Sequence, residues 1–168
     1  ILSSYNHKYT TSNINMISYN EHVAPHILAE KYKVPICISD LIKFINNKSK
    51  HKSISLIEGA GGLLTPYSNN TSQMDLICKL QCSVLVIVNI KTGCINHAIL
   101  TMNELERNGV KSVKWVANSY TDSSYIDEQI LTIEKFSQKK CLLKVQKNDS
   151  YLSFIELSKI LMSPDENI

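Results

Sequence analysis

Three short polar segments carry the side chains of this sequence that are best suited to binding chemistry. Glu58 follows the apolar run Ile54–Ile57 and precedes a glycine-rich loop, and Gly93–Asn96 and Asn118 follow two later apolar runs. A carboxylate is suited to hold a cation. The free amides at the start of a helix are suited to hold an anion, and a side-chain amide is suited to hold a nucleobase. The sequence therefore offers three candidate parts of a ligand site.

Glu58 is a candidate magnesium ligand. Mg²⁺ prefers oxygen ligands and is commonly held by one or two carboxylates together with phosphate oxygens. The glycines at 59, 61 and 62 let a backbone come close to a phosphate and expose its N–H groups. The same residues also fit a tight turn after a strand, with Glu58 as an exposed side chain, because glycine-rich loops have many uses.

Gly93–Asn96 is a candidate anion site. Gly93 interrupts the chain after an apolar run, and Cys94, Ile95 and Asn96 open the helical pattern that follows. The unpaired N–H groups of a helix N-terminus attract a carboxylate or a phosphate. The alternative is a simple glycine turn in which Asn96 caps the helix locally.

Asn118 ends a third apolar run, "VKWVAN". Its side-chain amide offers one acceptor and two donor hydrogens, which suits the edge of a purine. The alternative is an asparagine that only forms a turn. His22, His26 and His97 lack metal-binding spacing and are given no ligand role.

The elements that must position these residues alternate between strand and helix patterns. The run 83–90 is continuous Val, Ile and Leu, which is typical of a parallel strand covered on both faces. Alternation of this kind predicts an α/β fold with a parallel sheet. Ligands bind such sheets beyond the carboxyl ends of the strands, where all three candidate segments fall. The predicted strands are 54–57, 83–90, 113–120 and 141–145, with a short one near 14–18; the predicted helices are 22–33, 39–47, 72–80, 94–108, 123–138 and 150–162; residues 59–70 are predicted as loop.

Length and composition narrow the class of protein. A chain of 168 residues, 43% hydrophobic and 20% charged, suits one globular domain over 1–168. No apolar run reaches the roughly 18 residues of a membrane span, and an evenly spread net charge of +3 does not favour nucleic acid. Five scattered cysteines without paired C-x-x-C spacing argue against a disulfide framework and a zinc site. We expect a cytoplasmic protein without membrane or nucleic-acid partners.

Taken together, several segments of the sequence resemble the dethiobiotin synthetase family. They are "APHILAE" (24–30), "IEGAGGLLTP" (57–66), "GCINHAILT" (93–101) and "WVAN" (115–118). The resemblance implies a three-layer P-loop NTPase-like α/β fold and a homodimer. It also implies a ligase that uses ATP and Mg²⁺ to join CO₂ to 7,8-diaminononanoate, closing the ureido ring of dethiobiotin in biotin biosynthesis.

The resemblance also implies roles for particular residues. Glu58 becomes a Mg²⁺ ligand, Asn118 the residue that contacts adenine, and the loop after Glu58 the lining of the ATP phosphates. The start of the helix at 94 receives the tail carboxylate of the substrate, across the dimer interface. The nucleotide-binding set is Glu58, Gly59, Ala60, Gly61 and Asn118, and the substrate-binding set is Gly93, Cys94, Ile95 and Asn96.

The sequence departs from the family pattern in one large respect. The family begins with a strand and a GxxxxGK[ST] loop that holds phosphate, and no Gly-Lys pair occurs in these 168 residues. We therefore expect a chain that lacks the N-terminal strand and P-loop, has no identifiable catalytic lysine, is inactive alone and is poorly soluble because apolar strand edges stay open. Two alternatives remain: a shortened relative that binds nucleotide or a partner without catalysis, and a related P-loop amidotransferase-type synthetase, against which "GCINH" argues.

Overall fold

The computed structural model describes residues 10–119, 124–147, 149 and 153–162. The chain divides into two compact units, Ile1–Leu80 and Gln81–Ile168. Each unit is described by itself, and the expectation of one domain over 1–168 stays a prediction. None of the helices in the described ranges is long and apolar enough to cross a membrane.

The described part of the first unit is mainly helical. The short β1 and β2 pair antiparallel with each other, and the chain between them turns at 69–70. The elements are α1 (Thr11–Ile14), α2 (Pro25–Lys31), α3 (Ile38–Ser49), β1 (Pro66–Ser68), β2 (Thr71–Ser72) and α4 (Gln73–Leu80).

Helix α3 packs against the core of this unit through the apolar face that its sequence predicts. Leu41, Ile42 and Ile45 lie against a buried cluster, because positions three and four apart share one side of a helix. Phe44, on the edge of that face, lies under the Lys48 ammonium, which is 5.3 Å from the ring centroid. The buried cluster consists of Ala29, Ile36, Ile38, Tyr67 and Leu76.

The predicted strand at Ile54–Ile57 is wrong. Neither sheet of the described residues includes this segment, and Leu56 is 89% exposed. A strand needs a neighbour that pairs with its N–H and C=O groups. No described strand pairs with residues 54–57, so their apolar side chains stay in solvent and the backbone is irregular.

Other boundaries in the first unit also differ from the expectations. The strand predicted near Ile14–Ser18 is absent, since Ile14 ends α1, and β1 forms inside the predicted loop 59–70. Helix α3 begins at Ile38 after Cys37, without a side-chain cap. Helix α2 begins at Pro25, inside the predicted range 22–33, where the fixed φ of proline suits the first turn.

The second unit is the predicted α/β arrangement. Its sheet has the order β3-β4-β5, and both neighbouring pairs are parallel. The strands and helices alternate along the chain as the apolar pattern predicts. The elements are β3 (Val84–Asn89), α5 (Cys94–Arg107), β4 (Val113–Ser119), α6 (Ile126–Ser137), β5 (Cys141–Gln146) and α7 (Ser153–Met162).

The central strand β4 carries the best-buried residues of this unit. Trp115 is fully buried, and its indole Nε1 donates a 3.0 Å hydrogen bond to the carbonyl oxygen of Lys139. Strand β3 lies at the edge of the described sheet, and Ile87 is 58% exposed. The prediction that the run 83–90 is covered on both faces is therefore wrong.

Candidate functional site

Asn118 lies at the carboxyl end of the central strand β4. It pairs in register with Asn89 of β3, and its backbone carbonyl accepts a 2.9 Å hydrogen bond from the amide of Ile90. Its side-chain Oδ1 is buried and has no hydrogen-bond partner in the described part of the chain. A buried acceptor without a donor costs about 1–3 kcal/mol, so this oxygen is suited to accept a hydrogen bond from a ligand.

Helix α5 begins with free backbone amides at the same edge of the sheet. Gly93 has φ 88°, a left-handed conformation that favours glycine, and no side chain caps the helix. The amide of Cys94 donates to Lys91 and that of His97 donates to Gly93. The N–H groups of the intervening residues, Ile95 and Asn96, are left for a ligand, as at other helix starts that bind anions.

Cys94 anchors the start of α5 instead of facing a ligand. Its side chain is buried, and its thiol donates a 3.1 Å hydrogen bond to Oε1 of Gln129 in α6. This contact explains a cysteine at the first position of the helix. The thiol of Cys94 is therefore not available to a substrate, and its amide already donates to the carbonyl of Lys91.

A cavity of about 220 Å³ lies between β3 and the first turns of α5. Polar groups of Asn89, Lys91, His97 and Thr101 line it together with apolar side chains of β3. The sequence analysis missed Lys91, although its place directly after an apolar strand run was a usable signal. A lysine beside a helix start adds positive charge to an anion site.

The Glu58 loop belongs to the first unit. Residues 58–62 are exposed, Gly61 has φ 77°, and the amide of Thr65 donates a 3.0 Å hydrogen bond to the carbonyl of Gly62. Glu58 forms no ion pair with a described residue. Its carboxylate is therefore open to a cation.

These groups have part of the chemistry that a binding site for a magnesium nucleotide requires. No group of three potential metal ligands occurs among the described residues, so the protein atoms described do not form a complete metal cage. A single carboxylate suits Mg²⁺ when phosphate and water supply the other ligands. Asn118 and Gly93–Asn96 lie at the carboxyl ends of neighbouring strands in the second unit. Glu58–Gly61 belong to the first unit.

The α/β architecture and its site place the chain in a broad class of ATPase-like domains. Residues 3–152 match the family model described as an AAA domain. This match accounts for the alternation of parallel strands and helices in the second unit.

Curated relatives define the family within that class. The chain is 54% identical to the ATP-dependent dethiobiotin synthetase BioD of Francisella tularensis subsp. tularensis, over 99% of this chain and 75% of the relative. The corresponding protein of Francisella tularensis subsp. novicida is 53% identical over the same shares. That of Cellvibrio japonicus is 28% identical over 88% of this chain and 68% of the relative. The chain belongs to the ATP-dependent dethiobiotin synthetase family, which confirms the resemblance carried by its four segments.

Proposed function

We propose that the complete protein closes the ureido ring of dethiobiotin from CO₂ and 7,8-diaminononanoate at the expense of ATP. Family membership supports the reaction class. The single structural observation that carries the assignment to this chain is the buried, unpartnered Oδ1 of Asn118 beside the uncapped start of α5. One edge of the sheet thus offers a nucleobase acceptor and an anion site.

The proposed nucleotide-binding residues are Glu58, Gly59, Ala60, Gly61 and Asn118. Oδ1 of Asn118 accepts a hydrogen bond from the amino group of adenine, and its Nδ2 donates to a ring nitrogen. The backbone amides of Gly59, Ala60 and Gly61 face the phosphates, and the Glu58 carboxylate binds Mg²⁺. Mg²⁺ held there would neutralise charge on the transferring phosphoryl group, in a reaction that depends on positioning and electrostatics.

The diamine substrate is held through its tail carboxylate. Of residues 93–96, Ile95 and Asn96 have free backbone amides, and the helix macrodipole favours a negative group there. In a homodimer, this helix start serves the reaction centre of the partner subunit. One amine takes up CO₂ as a carbamate with loss of a proton, and ATP transfers its γ-phosphoryl group to a carbamate oxygen and leaves as ADP. The second amine then attacks the carbamate carbon, which expels phosphate and closes the ring.

The fold in this proposal is the three-layer P-loop type. The lysine that clamps phosphate in such folds follows a glycine, and these 168 residues contain no Gly-Lys pair. These 168 residues therefore do not supply the P-loop lysine that contacts the phosphate. The second candidate function is that of a shortened relative that binds nucleotide without catalysing the reaction. The absence of a Gly-Lys pair favours this second function for the 168-residue polypeptide on its own.

The test is dethiobiotin formation by the complete protein with ATP, Mg²⁺, bicarbonate and 7,8-diaminononanoate, followed by mass spectrometry. Product should form only when all four are present. Glu58→Ala should raise the Mg²⁺ concentration needed for half-maximal rate. The matched control is Glu30→Ala, since Glu30 is an exposed carboxylate of α2, and it should behave as wild type. Failure of the complete protein to form product would refute the proposed reaction.

A further inference from the structure

The side chain of Gln73 lies directly on the backbone of the Glu58 loop. Its amide group approaches Gly59 so closely that a Cβ on Gly59 would overlap Oε1, Cδ and Nε2 of Gln73. Glycine at this position admits the amide, and its φ is not in the left-handed region. Gly59 is thus needed for close packing and not for backbone conformation.

Tyr67 completes this contact from beneath the loop. Its side chain belongs to the buried core, at 6% exposure, and its hydroxyl donates a 3.3 Å hydrogen bond to Oε1 of Gln73. Burial raises the pKa of Tyr67. The hydroxyl therefore stays protonated at neutral pH and holds the side chain of Gln73 against Gly59.

Gln73 is itself held by the start of α4. Its amide donates a 3.0 Å hydrogen bond to the carbonyl of Thr65. One residue earlier, the amide and hydroxyl of Ser72 donate to Oδ2 of Asp75 at 2.7 and 2.8 Å, so the Asp75 carboxylate fixes the backbone just before α4. The side chain of Gln73 therefore projects from a fixed point onto the loop.

We infer that Tyr67 and Gln73 are positioning residues that clamp the backbone at Gly59 and thereby direct the carboxylate of Glu58. Glu58 is exposed and has no ion-pair partner in the described residues, so the direction of its side chain depends on the adjoining backbone. Residues that orient a metal ligand in this way commonly change metal affinity about 10- to 100-fold when mutated. The inference rests on the proposed role of Glu58.

The first measurement needs neither metal nor nucleotide. Hydrogen exchange of the Thr65 amide, which donates to the carbonyl of Gly62 in this loop, should be about tenfold faster in Gln73→Met and Tyr67→Phe than in wild type, because the clamp no longer holds the loop. Gln73 is only half-buried, so methionine preserves its length without disturbing the core. The control is Tyr125→Phe, at a tyrosine that is 66% exposed.

The second measurement is the Mg²⁺ dependence of the complete enzyme. Both clamp variants should raise the half-saturating Mg²⁺ concentration about tenfold, recover kcat at high Mg²⁺ and leave KM for the diamine unchanged. In a Glu58→Ala background, Gln73→Met should have no further effect on Mg²⁺ dependence, since the carboxylate it positions is absent.

The outcomes separate the inference from the proposed function. If Glu58→Ala leaves Mg²⁺ dependence unchanged, Glu58 is not a magnesium ligand, and the positioning role of Tyr67 and Gln73 is refuted with it. If Glu58→Ala weakens Mg²⁺ use but both clamp variants match wild type in exchange and in Mg²⁺ dependence, only the clamp is refuted. Lower thermal stability with normal exchange and normal Mg²⁺ dependence would show a purely structural contact, which also overturns the inference.

Discussion

The amide of Ile90 donates a 2.9 Å hydrogen bond to the carbonyl of Asn118. This hydrogen bond ties the backbone immediately after β3 to β4, one residue before β4 ends at Ser119. From this point the chain runs through Gly93 into α5, while the carboxamide of Asn118 remains buried with an unpartnered oxygen. A single backbone hydrogen bond therefore sets the candidate base-binding group beside the candidate anion site.

Asn118→Ala should weaken ATP binding in the complete protein. The change removes both the acceptor and the donors offered to adenine, and hydrogen bonds of this kind contribute about 0.5–1.5 kcal/mol each. We expect KM for ATP to rise about 10-fold with little change in kcat, and preference for ATP over GTP to decrease. Asn103→Ala, at an exposed asparagine of α5, is the control. Unchanged nucleotide preference would contradict the role of Asn118.

Gly93→Ala should impair both stability and use of the diamine. At φ 88°, a residue with a Cβ is strained by about 1–2 kcal/mol, and relief of this strain would turn the amides of the helix start. KM for the diamine should rise, and the midpoint of urea unfolding should fall.

Gly109→Ala is the matched control for this change. Gly109 also has a positive φ, 76°, with open space around it, but it follows the other end of α5. It should lose similar stability while leaving KM for the diamine unchanged. Equal kinetic effects of both variants would show that Gly93 acts through stability alone.

Protonation of Glu21 should loosen the segment around α2 in acid. The Tyr32 hydroxyl and the Lys31 ammonium donate hydrogen bonds of 2.6 and 2.9 Å to Oε1 of Glu21. These bonds lower the pKa of Glu21 from 4.5 to about 2. Because the folded-state pKa is the lower one, the stabilisation is complete above pH 4.5 and is lost as the pH falls toward 2.

The titration of Glu21 can be followed by NMR of its carboxyl carbon. Tyr32→Phe should move the pKa upward, because the hydroxyl hydrogen bond is its largest cause. Glu21→Gln should remove the pH dependence of the Tyr32 ring signals in this window. Titration of Glu21 near its ordinary pKa in the wild-type protein would show that the two hydrogen bonds do not persist in solution.

The polypeptide of these 168 residues should not form dethiobiotin by itself. Without a Gly-Lys pair, it has no P-loop lysine to clamp the γ-phosphate during transfer. We expect no product above background when the purified polypeptide is assayed with ATP, Mg²⁺, bicarbonate and diamine, while the complete protein is active under the same conditions. Turnover by the polypeptide at the rate of the complete protein would refute this prediction.

Local pattern was sufficient to predict the second unit. The runs that became β3, β4 and β5 are mainly apolar, and Gly109 follows α5 at φ 76° as a helix-ending glycine should. These features depend on neighbours in sequence. For the same reason the sequence placed Gly93 and Asn118 at the carboxyl ends of strands before the sheet was known.

Contacts between distant residues were decided by the tertiary structure alone. Residues 54–57 have the composition of a strand, but pairing requires a neighbour, and none of the described strands provides one. The amide of Gln73 on Gly59, and the hydroxyl of Tyr67 on Gln73, join residues that no periodicity relates. The sequence by itself determined which chemical groups follow the apolar runs. Only folding decided which of those groups are buried, clamped or left without a partner, because burial and hydrogen bonding depend on what the rest of the chain brings near.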